Sequence, residues 1–324
     1  MIWRTLLTLW LGAMLAACSA TAQDGADQPA LAEKRIALTF DDIPRHLGAF
    51  YDDDDKRAAH IIEALGDTQA AFFLNPDKND ERRGAEERIA RYVAAGHVIA
   101  NHTATHPQLR DTDTADYLAD IDVAAEWMRD REGFRPWFRF PFLDEGGKDK
   151  IKRDAIRAGL IERGLTNGYV TVDASDWFYE QAAIDAKKAG RTINMDALGE
   201  LYVESHIQSA EFTHGLSLKA LGRAPAQVML LHETDLAALY LDDLIAALKA
   251  NGWTIVTADE AFADPIAQIH TDVPYAQGTL IESIAWERGL PAPRWYERND
   301  TKIANELFRT RVLGLEPATD ATPE

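Results

Sequence analysis

The sequence predicts an α/β fold built on a largely parallel sheet, because short apolar β-prone runs alternate with longer stretches of helical periodicity and polar residues collect at the ends of the runs. Seven runs read as strands: Arg35 to Phe40, Gln69 to Leu74, His97 to Asn101, Trp137 to Phe140, Gly168 to Asp173, Gln227 to Leu231 and Trp253 to Val256. Between them, helical patterns cover Lys56 to Leu65, Glu81 to Ala95, Thr114 to Arg131, Lys148 to Ala158, Asp196 to Leu216 and Asp235 to Ala250. No repeat of 20 to 50 residues is visible, which argues against a solenoid. The segment from Asp264 to Glu324 is less periodic and reads as a C-terminal appendage with a frayed tail at Pro317-Ala318-Thr319.

With 324 residues, 46% of them hydrophobic, the chain can bury one large core. A net charge of −19 excludes a nucleic-acid partner on electrostatic grounds. The run Asp52-Asp53-Asp54-Asp55 reads as a solvated loop. At the N-terminus, Arg4 precedes an apolar stretch, Leu6 to Ala17, too short to span a bilayer but of the length of a signal-peptide core. It ends in Leu15-Ala16-Ala17-Cys18, which resembles a bacterial lipobox, and Cys18 is the chain's single cysteine, so no internal disulfide competes for it. The expected organisation is therefore a signal peptide over 1–17, lipidation at Cys18, a flexible tether over 18–33, one domain over 34–263 and an extension over 264–324. Localisation follows as the bacterial envelope, lipid-anchored and facing the periplasm.

Asp41-Asp42, His102, Arg139, Asp173 and His232 each fall at or just past the C-terminal end of an expected strand, and in a parallel barrel those ends converge on one face. His102-Thr103-Ala104-Thr105-His106 places two imidazoles four residues apart, neighbours if the segment is a helical turn. Adjacent carboxylates in Thr39-Phe40-Asp41-Asp42 are costly to bury without a cation, and a divalent metal bound by one carboxylate and both histidines would keep positions open for water and substrate. Water on zinc has a pKa of about 7, and the second carboxylate can take its proton. An imidazole at His232, closing Leu230-Leu231-His232, can protonate a departing amine.

Thr39-Phe40-Asp41-Asp42, His102-Thr103-Ala104-Thr105-His106-Pro107, Arg139-Phe140-Pro141-Phe142, Asp173-Ala174-Ser175-Asp176-Trp177 and Leu230-Leu231-His232 together resemble the five ordered motifs of polysaccharide deacetylases with the NodB homology domain (carbohydrate esterase family 4). The resemblance covers roughly Lys34 to Phe262. It implies a distorted (β/α) barrel of about seven parallel strands, with Asp41 as general base and Asp42, His102 and His106 as ligands of a divalent metal, Zn2+ or else Co2+, Ni2+ or Mn2+. It further implies His232 as general acid, Arg139 holding the base, and Asp176 pairing with His232, although Asp173 is a second acid in the same motif. Trp177 and Leu230 would wall the acetyl pocket, and the Phe142 N–H would face the tetrahedral oxyanion. Where the third motif often ends in Tyr this chain has Phe142, so a phenolic hydroxyl is absent. His46, His60, His97, His206, His214 and His270 match no motif, and the aromatic cluster Trp177-Phe178-Tyr179 suits either a sugar groove or packing.

The leading functional expectation is hydrolysis of N-acetyl groups on an amino-sugar polysaccharide, peptidoglycan or an exopolysaccharide, with release of acetate. Alternatives are an acetyl (xylan) esterase of the same family, a non-catalytic polysaccharide-binding lipoprotein, for which Asp41 and His232 would be superfluous, and a hydrolase of small cyclic amides, which would not need the metal triad.

Overall fold

The computed structural model describes residues 33–78 and 85–317; the expected signal peptide, Cys18, nearly all of the tether and the tail from Ala318 lie outside the described residues. In chain order the regular elements are β1 Lys34–Ile43, α1 Asp54–Leu65, β2 Ala71–Leu74, α2 Ala85–Ala94, β3 Val98–Asn101, α3 Thr114–Met128 and β4 Phe134–Phe138. There follow β5 Asp144–Gly147, α4 Lys150–Glu162, β6 Thr166–Asn167, α5 Asp176–Lys188, α6 Met195–Leu221, β7 Gln227–His232 and α7 Asp235–Ala250. The chain continues through β8 Trp253–Ile255, α8 Ala258–Phe262, β9 Ala276–Gln277, α9 Leu280–Glu287 and α10 Thr301–Leu307.

Seven strands form one parallel sheet in the order β6-β4-β3-β2-β1-β7, with β8 paired to the start of β1. β5 and β9 make a separate antiparallel pair. The expected strand Gly168–Asp173 is not a strand: pairing with β4 ends at Asn167, and the chain then crosses to β7 through a single bridge, Val172 to Met229. That crossing brings the two edges of the sheet together and curls it into the distorted barrel expected. Leu230 N–H donates to Val172 O at 2.9 Å, while Thr171 and Val172 both turn their N–H groups to Val228 O, so the register breaks instead of running on.

Strand alternation explains what the barrel contains. On β1, Ile36, Leu38 and Phe40 face outward into a core shared with α1, α6 and α7, whereas Ala37 faces inward with Val228 and Tyr169. Ala71, Phe73, Val98, Ala100 and Trp137 form the other part of the interior, where Phe262 of α8 packs against Phe73, Trp137 and Tyr169. Continuing each inward series in steps of two, through Thr39 on β1 and Leu230 on β7, arrives at Asp41, His102, Arg139 and His232. The period of two thus aims four polar side chains into one end of the barrel.

The helical expectations hold with shifts of a few residues at their ends, and the part of Glu81 to Ala95 before Ala85 lies outside the described residues. The short strands β5, β6 and β9 and the helices α5, α8, α9 and α10 went unforeseen, and the run Asp52–Asp55 is not simply a solvated loop. α5 starts inside the fourth motif, and Asp52–Asp55 is a helix start in which Asp53 accepts N–H groups of Asp55 and Lys56. Among the described residues no helix is long and apolar enough to cross a membrane.

A buried charge network fixes the loop after β1. Asp235, at the start of α7, accepts N–H groups from Gly48, Phe50 and Tyr51, and Arg57 reaches both Asp235 and the carbonyls of Arg45 and His46. Glu233 accepts Arg45 N–H and the Tyr92 hydroxyl and pairs with Arg88 at 2.9 Å. Glu180 of α5 caps the Asp235 and Leu236 N–H groups, and burial, then the Asp235 charge, push its carboxyl up to about 7. A carboxyl raised in the folded state binds a proton that the unfolded chain has released, so stability falls as pH climbs from the ordinary 4.5 through about 7. Glu180→Gln should flatten that decline in urea titrations across the same interval; an unchanged slope would show that Glu180 does not titrate there.

Candidate active site

Six of the seven described non-glycine residues with positive φ, namely Asp42, Thr103, His106, Phe142, Leu143 and Ser175, cluster at the strand ends around the barrel mouth. Left-handed backbone at non-glycine positions costs on the order of 1–3 kcal/mol each and persists where surrounding contacts enforce it. Those contacts are visible in the loop after β3. Asp120 accepts Ala104 N–H, Thr105 N–H and the Thr105 hydroxyl; Asn101 accepts Thr103 N–H; and Asn75 donates to the carbonyls of His102 and Thr103. His102 and His106 therefore do not sit on a helical turn, as their spacing suggested. A bent loop brings their rings to 4.9 Å between centroids instead.

His102 Nδ1 lies 2.9 Å from Arg139 O, and since a carbonyl only accepts, Nδ1 carries the proton and Nε2 presents a lone pair. Burial, and then the neighbouring His106, hold the His102 pKa well below its ordinary value, which keeps the ring neutral as a metal ligand must be. Asp42 Oδ1 is 3.0 Å from His106 Nε2 and 3.7 Å from His102 Nε2. No N–H is aligned on that buried oxygen, so it has proximity to two imidazole nitrogens without a hydrogen bond. One ligand atom from each of Asp42, His102 and His106 lies within 4.8 Å of the other two. A carboxylate oxygen and two imidazole nitrogens converging without donors between them are the donor set of a divalent cation, and the three residues fit one.

Asp41 is 3% exposed; its Oδ2 lies 3.7 Å from His102 Nε2, and its other oxygen faces Arg139, whose Nη1 donates to Asp41 Oδ1 at 2.6 Å and to Thr39 Oγ1 at 2.9 Å. Arg139 Nε donates to Gly168 O, and the guanidinium lies over the Phe73 ring at 3.7 Å. Burial raises the Asp41 pKa, with Arg139 opposing it. Beside Asp41, as its register partner on β7, His232 has Nδ1 2.7 Å from Asp176 Oδ1, and Asp176 Oδ2 accepts the His232 backbone N–H at 2.8 Å. Burial pulls the imidazole down, but the charge and hydrogen bond of Asp176 outweigh it and push its pKa up to about 9. Asp173 is instead turned back onto Ser175 N–H, so of the two acids in that motif it is Asp176 that orients His232.

Residues 28–160 match the family model described as polysaccharide deacetylase. Chitin deacetylase of Colletotrichum lindemuthianum is 27% identical over 71% of this chain and 79% of its own length. The peptidoglycan-N-acetylglucosamine deacetylase PgdA of Listeria monocytogenes is 24% identical over 72% of this chain but only 40% of its own length, so the chain spans less than half of that relative. The solved structure of the Colletotrichum chitin deacetylase superposes with a TM-score of 0.50 at 22% identity, covering 74% of this chain and 95% of that one, which is a likeness of fold. Over residues 28–160 this chain is similar to the polysaccharide deacetylases.

The barrel mouth opens into a cleft of about 480 Å³. Asp41, Asp42, His102, His106, Phe142, Trp177, Leu230 and His232 all line it; Arg139 and Asp176 stand behind the residues they hold. The Phe142 ring sits edge-on to His106 at 4.6 Å between centroids and is 52% exposed. None of the six histidines outside the motifs lines the cleft.

The structure adds residues that the sequence gave no cause to single out. Arg45 donates to Asp42 Oδ2 at 2.6 Å, fixing the carboxylate whose other oxygen faces the histidines. Gln277, Gly278 and Asn299, all from the expected appendage, line the cleft; Gln277 donates to Phe142 O, and Asn299 contacts Ser175 Oγ at 3.2 Å. A lone Asn or Gln in an aperiodic stretch carries no local signal of such a role.

Replacing Asp176 by Asn removes the charge that opposes burial. The His232 pKa should then fall from about 9 to below its ordinary 6.5, followed by NMR titration of the ring. A pKa that stays near 9 would show that another group holds the proton.

Proposed function

We propose that the domain hydrolyses N-acetyl groups on an amino-sugar polysaccharide, in the presence of a divalent cation, Zn2+ first and Co2+, Ni2+ or Mn2+ as substitutes. The observation that carries this reading is one cleft lined by His232, held by Asp176, by its strand neighbour Asp41, a buried carboxylate, and by the Asp42, His102, His106 donor set. A bound cation would supply a Lewis acid for the acetyl carbonyl and for water.

Asp41 accepts the proton as water attacks the acetyl carbon, and Arg139 keeps that carboxylate in one orientation. The Phe142 N–H, on a left-handed turn at the cleft wall, serves the oxygen that gains charge. As the C–N bond breaks, His232 delivers its Nε2 proton to the departing nitrogen, and Asp176 on Nδ1 keeps the ring charged until then. Acetate and a free amine are the products. Breaking an amide requires protonation of a poor leaving group, so the acid at His232 favours amide over ester chemistry. The relatives named above, a chitin and a peptidoglycan deacetylase, support an amino-sugar polymer as substrate.

Acetate release from N-acetylglucosamine oligomers and peptidoglycan fragments by the chain from Ser19 onward, assayed with metal content, tests this. Asp41→Asn should lower turnover by about 10²–10⁴ while retaining metal, the range of general-base catalysis. His102→Ala should lose both metal and turnover. A wild-type protein that binds no divalent metal would sink the reading.

We further propose that the chain is an envelope lipoprotein anchored through Cys18, a reading supported by a sole cysteine placed directly after an apolar run of signal-peptide length. Metabolic palmitate label should enter the chain and vanish in Cys18→Ala, which should move to the soluble fraction. Equal membrane retention of that variant would count against the anchor.

A further inference from the structure

A second cleft, about 620 Å³, lies between α5 and the segment Thr301–Leu313, and Trp177 lines both it and the catalytic cleft. One exposed indole, 42% accessible, therefore forms a wall common to both clefts. The same stretch of chain supplies Asn299 to the first cleft and Asn305 to the second. We infer that this second cleft takes the neighbouring sugar units of the polymer whose acetyl group reacts, making the enzyme one that reads an extended, uncharged hexosamine chain; this inference rests on the proposed deacetylase reading.

The lining suits that occupant. A pyranose offers an apolar face of C–H groups and a rim of hydroxyls that both donate and accept. Ala182 and the buried Phe308 give an apolar floor beside Trp177, while Asp185, Arg191 and Asn305 provide acceptors and donors around it. Asp185 and Arg191 carry opposite signs and Arg309 is paired with Glu306 at 3.7 Å, so the lining favours neither a polyanion nor a polycation, whereas a neutral sugar can use both kinds of group. The volume is within the range of about 300–1,000 Å³ typical of small-molecule sites, so it holds a short stretch of polymer and no folded partner.

The experiment compares N-acetylglucosamine dimer and pentamer with the wild-type chain and with Asn305→Trp and Gln181→Trp, two substitutions at exposed positions that fill the cleft. Two readouts are taken: kcat/KM for acetate release, and calorimetric binding of pentamer to each protein in an Asp41→Asn background. The wild type should favour the pentamer by about tenfold, the equivalent of roughly 1.4 kcal/mol of added contact. In both Trp variants the pentamer-to-dimer ratio should collapse to about one, with weakened pentamer binding and unchanged metal content. A wild-type ratio of one, or pentamer binding indifferent to both substitutions, overturns the inference and leaves the deacetylase reading standing. Pentamer binding that the Trp variants weaken, with no acetate from either oligomer, upholds the cleft and overturns the deacetylase reading instead.

Discussion

Asp41 ends an inward series whose other members are Ala37 and Thr39, and at 3% exposure its carboxylate can stay in place only if a charge inside the barrel answers it. Arg139 is that charge, and it is itself 1% exposed. Breaking such a pair from one side costs about 3–5 kcal/mol, because the survivor is left uncompensated. The consequences reach beyond the pair. Arg139 spends its remaining donors on Thr39, Gly168 and Tyr169, and its own carbonyl fixes the tautomer of His102. One residue thus ties Asp41 to β1, the closing segment to β4, and His102 to one tautomer.

Asp42, one residue on, has a different fate because β1 cannot carry both side chains the same way. Its positive φ turns it out of the strand alternation, toward His106 and Arg45. Burial pushes its carboxyl upward, but His106, His232 and Arg45 outweigh that and hold it well below the ordinary range. Adjacent acids are thereby separated into a carboxyl raised by burial and one kept ionised. Arg45 can serve only because its loop is pinned, through Gly48, Phe50 and Tyr51, to Asp235 at the head of α7. The network under α1 and α7, remote from the cleft, is in this sense part of the site's geometry.

Much of this was legible because it follows from period and position. Strands of alternating or wholly apolar character, each ending in a polar residue, predicted a barrel mouth, and the mouth holds Asp41, His102 and His232 together. Misreadings arose where geometry is set by distant partners. The His102–His106 spacing suggested a helical turn, yet Asp120 and Asn75, one after and one before in the chain, impose a loop. Choosing between Asp173 and Asp176 needed the backbone of Ser175, whose N–H takes Asp173 out of contention. Arg45, Gln277 and Asn299 had no pattern to betray them, since one polar side chain in irregular chain reads as surface.

The two largest departures from expectation, a missing fifth strand and an appendage that enters the site, have one physical origin. Residues 168–173 must cross from β4 to β7, and a segment that changes partners midway cannot pair along its length with either. Its backbone groups still need partners inside a closed structure. Thr171 and Val172 find Val228 O, and Val170 O is satisfied by Leu280 N–H at 2.9 Å, a residue of the C-terminal segment. Docking there requires the chain before Leu280 to pass close to the cleft wall, where Gly278 donates to Leu143 O at 3.1 Å and β9 pairs with β5. Gly278 has φ +102, and a Cβ on it would fall 2.2 Å from the Glu282 carboxylate that completes the α9 capping box, so only glycine fits the passage. Closing the barrel and completing the cleft therefore use the same contacts, and the described residues after Asp264 join the cleft-forming unit by the hydrogen bonds that seal its sheet.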